Sequence, residues 1–271
     1  MTNKIFYFLI AVTFLFVSHN LRAAEIELGA GTFFTSLPNY LGSEEQNSYT
    51  LPFPYFYYRS DKLEIDRNSF TRYFWQQNNW YLDFSATGNL PVESNKTKIR
   101  KAMPDLDFVG QLGPEIKHYL IGSPNSAEQF SVAFNIRKAV ATDLTYLSSV
   151  GWHSSIAIAY NTKLPAIFNG ELELNTRLNL NAADHNYLDY YYGVKPQYQT
   201  TQRSNYTATS GYFNHGLSFG LTWQKEAIWM GGFLKYNSLS NSKIQTSPLV
   251  TDSENWSFGL GLVWIFYRNK T

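Results

Sequence analysis

The chain has 271 residues, a formal net charge of +1, 17% aromatic and 16% charged residues, and no cysteine. A mean hydropathy of −0.30 shows that its many apolar residues are spread along the chain rather than gathered in blocks. The balanced charge leaves no basic footprint for nucleic acid, and the lack of cysteine fits an exported protein that avoids disulfide chemistry.

The first segment, MTNKIFYFLIAVTFLFVSHNLRAA, carries one Lys and then an apolar run from Ile5 to Val17. A run of about 13 residues is too short to span a bilayer and reads as a secretory signal peptide, residues 1–23, cut after Ala23 or Ala24. Residues 24–271 then form one all-β domain, since no strong helical periodicity follows.

The next segments alternate. LEIDRNSFTRYFW predicts a tight hairpin, Leu63–Asp66 against Ser69–Trp75. In FSVAFNIRK, Phe130, Val132, Phe134 and Ile136 oppose Ser131, Ala133, Asn135 and Arg137; in SSIAIAY, Ile156, Ile158 and Tyr160 oppose Ser155, Ala157 and Ala159. GELELNTRLNLNA sets Leu172, Leu174, Leu178 and Leu180 against Glu171, Glu173, Asn175, Arg177 and Asn179. HGLSFGLTW sets Leu217, Phe219, Leu221 and Trp223 against Gly216, Ser218, Gly220 and Thr222. The last segment, WSFGLGLVWIF, has an apolar row from Trp256 to Phe266 and an opposite row beginning Ser257, Gly259, Gly261.

A soluble sandwich needs a dry interior, and the second rows are too small and polar to make one. Strands of about 9–11 residues ending in aromatics match a transmembrane barrel instead, with the apolar row toward lipid and the polar row toward the lumen. Long links are expected at Ser36–Ser48, Asn89–Asp105, Ala141–Ser149, Ala183–Asn205 and Ser238–Glu254, and short ones at Arg59–Asp61, Gln76–Asn78, Ile121–Glu128, Asn161–Ile167 and Lys225–Glu226. With the hairpin counted, they alternate to give an antiparallel up-and-down barrel of about 12 strands. Gly29, Gly31, Gly259 and Gly261 read as relief for close packing where the first and last strands meet.

Several segments together resemble the MipA/OmpV family of outer-membrane proteins, the MltA-interacting proteins. They are Gly29–Ala30–Gly31, the Tyr40-Leu41-Gly42-Ser43 loop, the Pro52-x-Pro54-x-x-x-Tyr58 strand, MPDLDFVGQLGPEI, LDYYYGVKP, TSPLV and the terminal GLGLVWIF. The chain departs from the family at Thr246, where Asp is favoured, and in running past Phe266 as Tyr267–Thr271. The resemblance implies an outer-membrane barrel that serves as a scaffold between a lytic transglycosylase and a murein synthase.

Candidate chemistry lies mostly on the polar rows. Glu115, Lys117, Arg137, Glu171, Glu173 and Arg177 are lumen-facing binding candidates, joined by Asp107 and Gln111; the ordinary alternative is that they pair with one another across the interior. His153 and Ser155 share a strand face, and a His-x-Ser pair is similar to that of outer-membrane phospholipases and lipid A deacylases. Acyl hydrolases of that kind must meet substrate on the lipid face, and this pair has the lumen parity. His118, His185 and His215 lack metal-ligand spacing, and Asp184-His185 reads as a solvated loop pair. Tyr187, Tyr190, Tyr191 and Tyr192 read as an external aromatic girdle, with sugar stacking as the alternative. The expectation is a non-enzymatic scaffold in outer-membrane lipid, needing no cofactor or metal; a small-solute channel comes second and an acyl hydrolase third.

Overall fold

The computed structural model describes residues 25–59, 63–65, 70–72, 74–124 and 126–269. The expected signal peptide and its cut site lie outside the described residues, as do Asp66 and Ser69 of the expected hairpin. The strands are β1 (Glu25–Pro38), β2 (Gln46–Arg59), β3 (Leu63–Ile65), β4 (Phe70–Arg72), β5 (Trp75–Gln77), β6 (Trp80–Asn89) and β7 (Phe108–Ile121). There follow β8 (Glu128–Thr142), β9 (Ser148–Ile167), β10 (Gly170–Ala183), β11 (Gly211–Lys225), β12 (Ile228–Ser238) and β13 (Glu254–Asn269), with one helix, α1 (His185–Tyr192), between β10 and β11.

The described strands form one 13-stranded antiparallel sheet in the order β4-β3-β2-β1-β13-β12-β11-β10-β9-β8-β7-β6-β5. Every neighbour except the β1–β13 pair is also consecutive in the chain, so the topology is up and down. The first and last long strands do meet: Gly31 pairs with Val263 and Thr35 with Gly259. Arg268 Nε donates to Glu27 Oε1 at 2.6 Å and ties their far ends, so the tail beyond Phe266 helps lock the strand pair. The hairpin is present as Leu63↔Arg72 and Ile65↔Phe70, but its expected end is corrected: Trp75 belongs to β5 and pairs with Leu82 of β6. The two ends of the ladder, β4 and β5, are separated by only two residues of chain. Phe74 N continues the β5–β6 pairing by donating to Leu82 O at 2.9 Å, and β4 packs beside β6.

Alternation converts directly into two faces. On β13, Trp256, Phe258, Leu260, Leu262, Trp264 and Phe266 are exposed, while Asn255, Ser257, Val263 and Ile265 are buried. The same inversion holds on β8 and β9, where Phe134, Ile136, Ile156 and Ile158 are exposed and Ala133, Asn135, Ser155 and Ala157 buried. The protein therefore exposes its large apolar residues and buries its small and polar ones. On the enclosed face a Cβ at Gly259 would come 2.8 Å from Phe33 Cζ; the missing side chain lets an aromatic ring lie across β13.

The short connections cluster at one end of the sheet and the long ones at the other, hereafter the turn end and the loop end. Two tight turns use Asn residues with positive φ, Asn78–Asn79 and Phe168–Asn169, which match the right-handed twist of the strands they join. The expected link at Asn161–Ile167 is corrected. β9 runs on to Ile167 because Lys163 and Leu164 find partners in Glu173 and Leu172 of β10.

Candidate functional site

The enclosed face divides into a cap at the loop end and a polar belt below it. The cap was expected as long polar loops, and the structure corrects this. Residues from the connections 39–45, 90–107, 184–210 and 239–253 pack into a single apolar cluster that includes Tyr40, Met103, Leu106, Tyr187, Leu188, Tyr192, Val194, Ile244 and Leu249.

Helix α1 organises the cap. Asp184 caps its N-terminus by accepting from Tyr187 N at 2.9 Å, as a short polar side chain at that position does. Gly151 on β9 has φ +125, and a Cβ there would sit 2.6 Å from Tyr187 N. The glycine thus admits the first turn of the helix against the strand. Tyr187, Tyr191 and Tyr192 are buried, so the girdle expected of them is overturned. Their hydroxyls explain why: each finds a partner inside. Gln111 Nε2 donates to Tyr187 Oη at 3.0 Å, Asn89 Nδ2 donates to Tyr191 Oη at 2.8 Å, and Tyr192 Oη donates to Leu41 O at 2.9 Å. Burial pushes the Tyr191 and Tyr192 hydroxyls well above the usual tyrosine range. They remain neutral donors and acceptors.

Arg100 crosses the cap, 3% exposed. Its Nη1 donates to Tyr191 O at 3.0 Å, its Nη2 to Pro104 O at 3.2 Å and its Nε to Ser94 Oγ at 3.2 Å. Burial lowers its affinity for the proton, while the neighbouring Tyr40 and Tyr190 oppose that loss. Ser247 Oγ donates to Tyr192 O at 2.8 Å, and Tyr40 Oη donates to Leu249 O at 2.7 Å. The Tyr40–Ser43, Met103–Leu106, Tyr190–Val194 and Thr246–Val250 motifs, far apart in the chain, therefore converge on one cluster.

The belt carries most of the candidate binding residues. Glu115 is 6% exposed, accepts from Asn135 Nδ2 at 3.0 Å and lies 3.2 Å from Lys117 Nζ. Arg137 Nη1 donates to Ser85 Oγ at 3.1 Å, and its Nη2 meets His153 Nδ1 at 3.1 Å. Arg177 also faces inward, from the middle of β10. Glu171 and Glu173 are corrected: they share the inner parity, yet their side chains are 74% and 45% exposed and meet Lys163 in the open at the turn end. Parity sets the face a side chain takes, not its height along the strand. Asp83 and Lys235 belong to the belt as well and were missed. The alternation in IWMGGFLKYNS, applied to β12, puts Lys235 on the row of Trp229 and Asn237.

His153 and Ser155 are both buried on the enclosed face. His153 is held by Arg137 and boxed by Tyr187 and Phe213, with ring centroids 5.7 and 5.6 Å away. Among the described residues, no hydrogen bond joins it to Ser155 and no carboxylate accepts from its ring. His185 Nδ1 meets Ala208 O at 2.6 Å, and Asp184 is spent on the helix cap. Among the described residues no three His, Cys, Asp or Glu side chains gather as a metal site.

Residues 28–266 match the family model described as MltA-interacting protein MipA. The chain belongs to the MltA-interacting protein MipA family. No curated protein matches. Among solved structures, a bacterial polysaccharide outer membrane secretin is similar at a TM-score of 0.41 and 10% identity, covering 92% of this chain and 100% of that one. The β domain of the Bordetella autotransporter BrkA gives a TM-score of 0.37 at 9% identity, covering 90% and 100%. The outer-membrane expressed OmpT of Vibrio cholerae gives a TM-score of 0.37 at 8% identity, covering 92% and 99%. Likeness this distant carries no argument about function.

Proposed function

We propose that the sheet closes as an outer-membrane barrel, with β4 and β5 acting as one broken strand so that about twelve strands cross the bilayer, after removal of residues 1–23 or 1–24. The inverted faces carry this reading. The exposed row of β13, aromatic at both ends, suits a lipid band with interfacial girdles, and the same row in water would be a severe aggregation liability.

Within that barrel the chain acts as a non-enzymatic scaffold for murein-remodelling enzymes. Two features support it. The family takes its name from interaction with MltA, a lytic transglycosylase; a murein synthase is the further partner this reading proposes. The interlocked cap obstructs the loop end, as suits a scaffold better than an open channel. With the long loops outside, as outer-membrane barrels place them, the turn end faces the periplasm. There the β9–β10 hairpin presents Phe168, 83% exposed, at its tip. The test is capture of a lytic transglycosylase from detergent extract by the folded barrel. If the enzyme is not retained while the barrel stays folded, the scaffold reading falls. The second reading, a small-solute channel, draws on the polar belt of Arg137, Arg177 and Lys235, which are half-buried. Steady single-channel conductance in a planar bilayer would shift the assignment to it.

A further inference from the structure

The belt holds more positive charge than its carboxylates neutralise. Among the described residues it contains Lys117, Arg137, Arg177 and Lys235 against Asp83 and Glu115. Glu115 is already engaged by Lys117 and Asn135. Arg137, Arg177 and Lys235 form no ion pair, and the side chains of Arg177 and Lys235 make no hydrogen bond within the described protein. Arg137 Nε is buried without an acceptor.

These three cations are neighbours. Lys235 lies within electrostatic range of both Arg177 and Arg137, and Arg137 within range of Arg177; Glu115 also acts on Arg137 and Arg177, so one carboxylate, already held by Lys117, is shared among them. The sheet register explains the meeting of two of them: Ser218 on β11 pairs with Arg177 on one side and Lys235 on the other. Ser218 itself is occupied with the backbone, its Oγ donating to Arg177 O at 3.4 Å. All three are half-buried on the enclosed row. Like charges held together in a partly desolvated interior repel one another, and the single Glu115 carboxylate among them does not balance all three. A guanidinium pair with an ammonium suits a tetrahedral oxyanion, which can accept from a planar fork and a point donor at once.

We infer that Arg137, Arg177 and Lys235 form an anion site inside the barrel, for the phosphate or sulfate group of a small solute. It is independent of the scaffold role, needing only that the polar row be enclosed. The test is calorimetric titration of the detergent-solubilised barrel with inorganic phosphate at constant ionic strength in chloride. Saturable binding competed by sulfate is expected. Arg177→Gln or Lys235→Gln should weaken it at least tenfold, and the double variant should abolish it. Lys235→Arg should retain it, and Lys138→Gln, on the outer row with its ammonium 4.8 Å from the Trp152 ring, should leave it unchanged. The neutral variants remove repulsion and should fold, as heat-modifiable gel migration checks. Phosphate that fails to bind the parent barrel overturns the inference, as does a double variant that binds as the parent does.

Discussion

Replacing Leu260 with Arg decides what surrounds the exposed apolar row. Leu260 is 63% exposed near the middle of β13, between the aromatic ends Trp256 and Phe266. The strand steps from Trp256 to Phe266, at about 3.4 Å each and inclined about 40°, rise about 26 Å, the height of a barrel's apolar band. In lipid, an Arg at mid-height costs about 2–4 kcal/mol. That is a fall of about 25- to 700-fold in the folding equilibrium. On a face bathed in water the same change stays within about 0.5 kcal/mol. The reference is Leu147→Arg, because Leu147 is 80% exposed in the connection after β8, beyond the band. Reversible guanidinium unfolding in lipid vesicles, followed by tryptophan fluorescence, measures both variants. A difference between them below about 0.5 kcal/mol would refute a lipid-facing row.

Other perturbations address the interior. Arg100→Met removes the donors that serve Tyr191 O and Pro104 O, a loss of about 1–3 kcal/mol per stranded group. External protease should then cut the loop-end connections at least tenfold faster, while the sheet keeps its heat-modifiable migration. Gly151→Ala places a side chain at φ +125 against the start of α1, a strain of about 1–3 kcal/mol; it should release the same loops to protease without touching any residue of Arg100's network. Glu115→Gln leaves Lys117 without its carboxylate and should lower the unfolding free energy by roughly 1–3 kcal/mol; an unchanged denaturation midpoint would show that Lys117 finds water instead. Phe168→Ser, at the exposed tip of the β9–β10 turn, should reduce transglycosylase capture several-fold and leave stability within about 0.5 kcal/mol.

Much of the sheet was legible in the chain because a strand has a side-chain period of two. Row assignments on β8, β9 and β13 followed from counting parity, and on β10 all but that of Leu172, which is buried. The inward turn of His153 and Ser155 followed too, as did the meeting of the glycine-bearing first and last strands. Local propensity was a poorer guide to the connections. The segment His185–Tyr192 reads as a tyrosine-rich loop, since its helix rests on partners outside its own window: Gly151 on β9, Gln111 on β7 and Asn89 on β6. β9 outran its expected end because β10 offered it partners.

Charge showed the same division. Sequence parity identified the faces of Glu115, Arg137 and Arg177, and equally of Glu171 and Glu173. Height along the strands then separated them. Glu171 reaches open water beside Lys163, and Glu115 is enclosed against Lys117 and Asn135.

What the sequence by itself determined is the alternation that turns this protein inside out, because each residue's face depends only on its own position along an extended strand. What only the tertiary structure decided is which distant segments share the enclosed space. The cap of Tyr40, Arg100, Tyr192 and Leu249 and the cation-rich belt of Arg137, Arg177 and Lys235 depend on strands brought together around the whole sheet, at a register no local window contains.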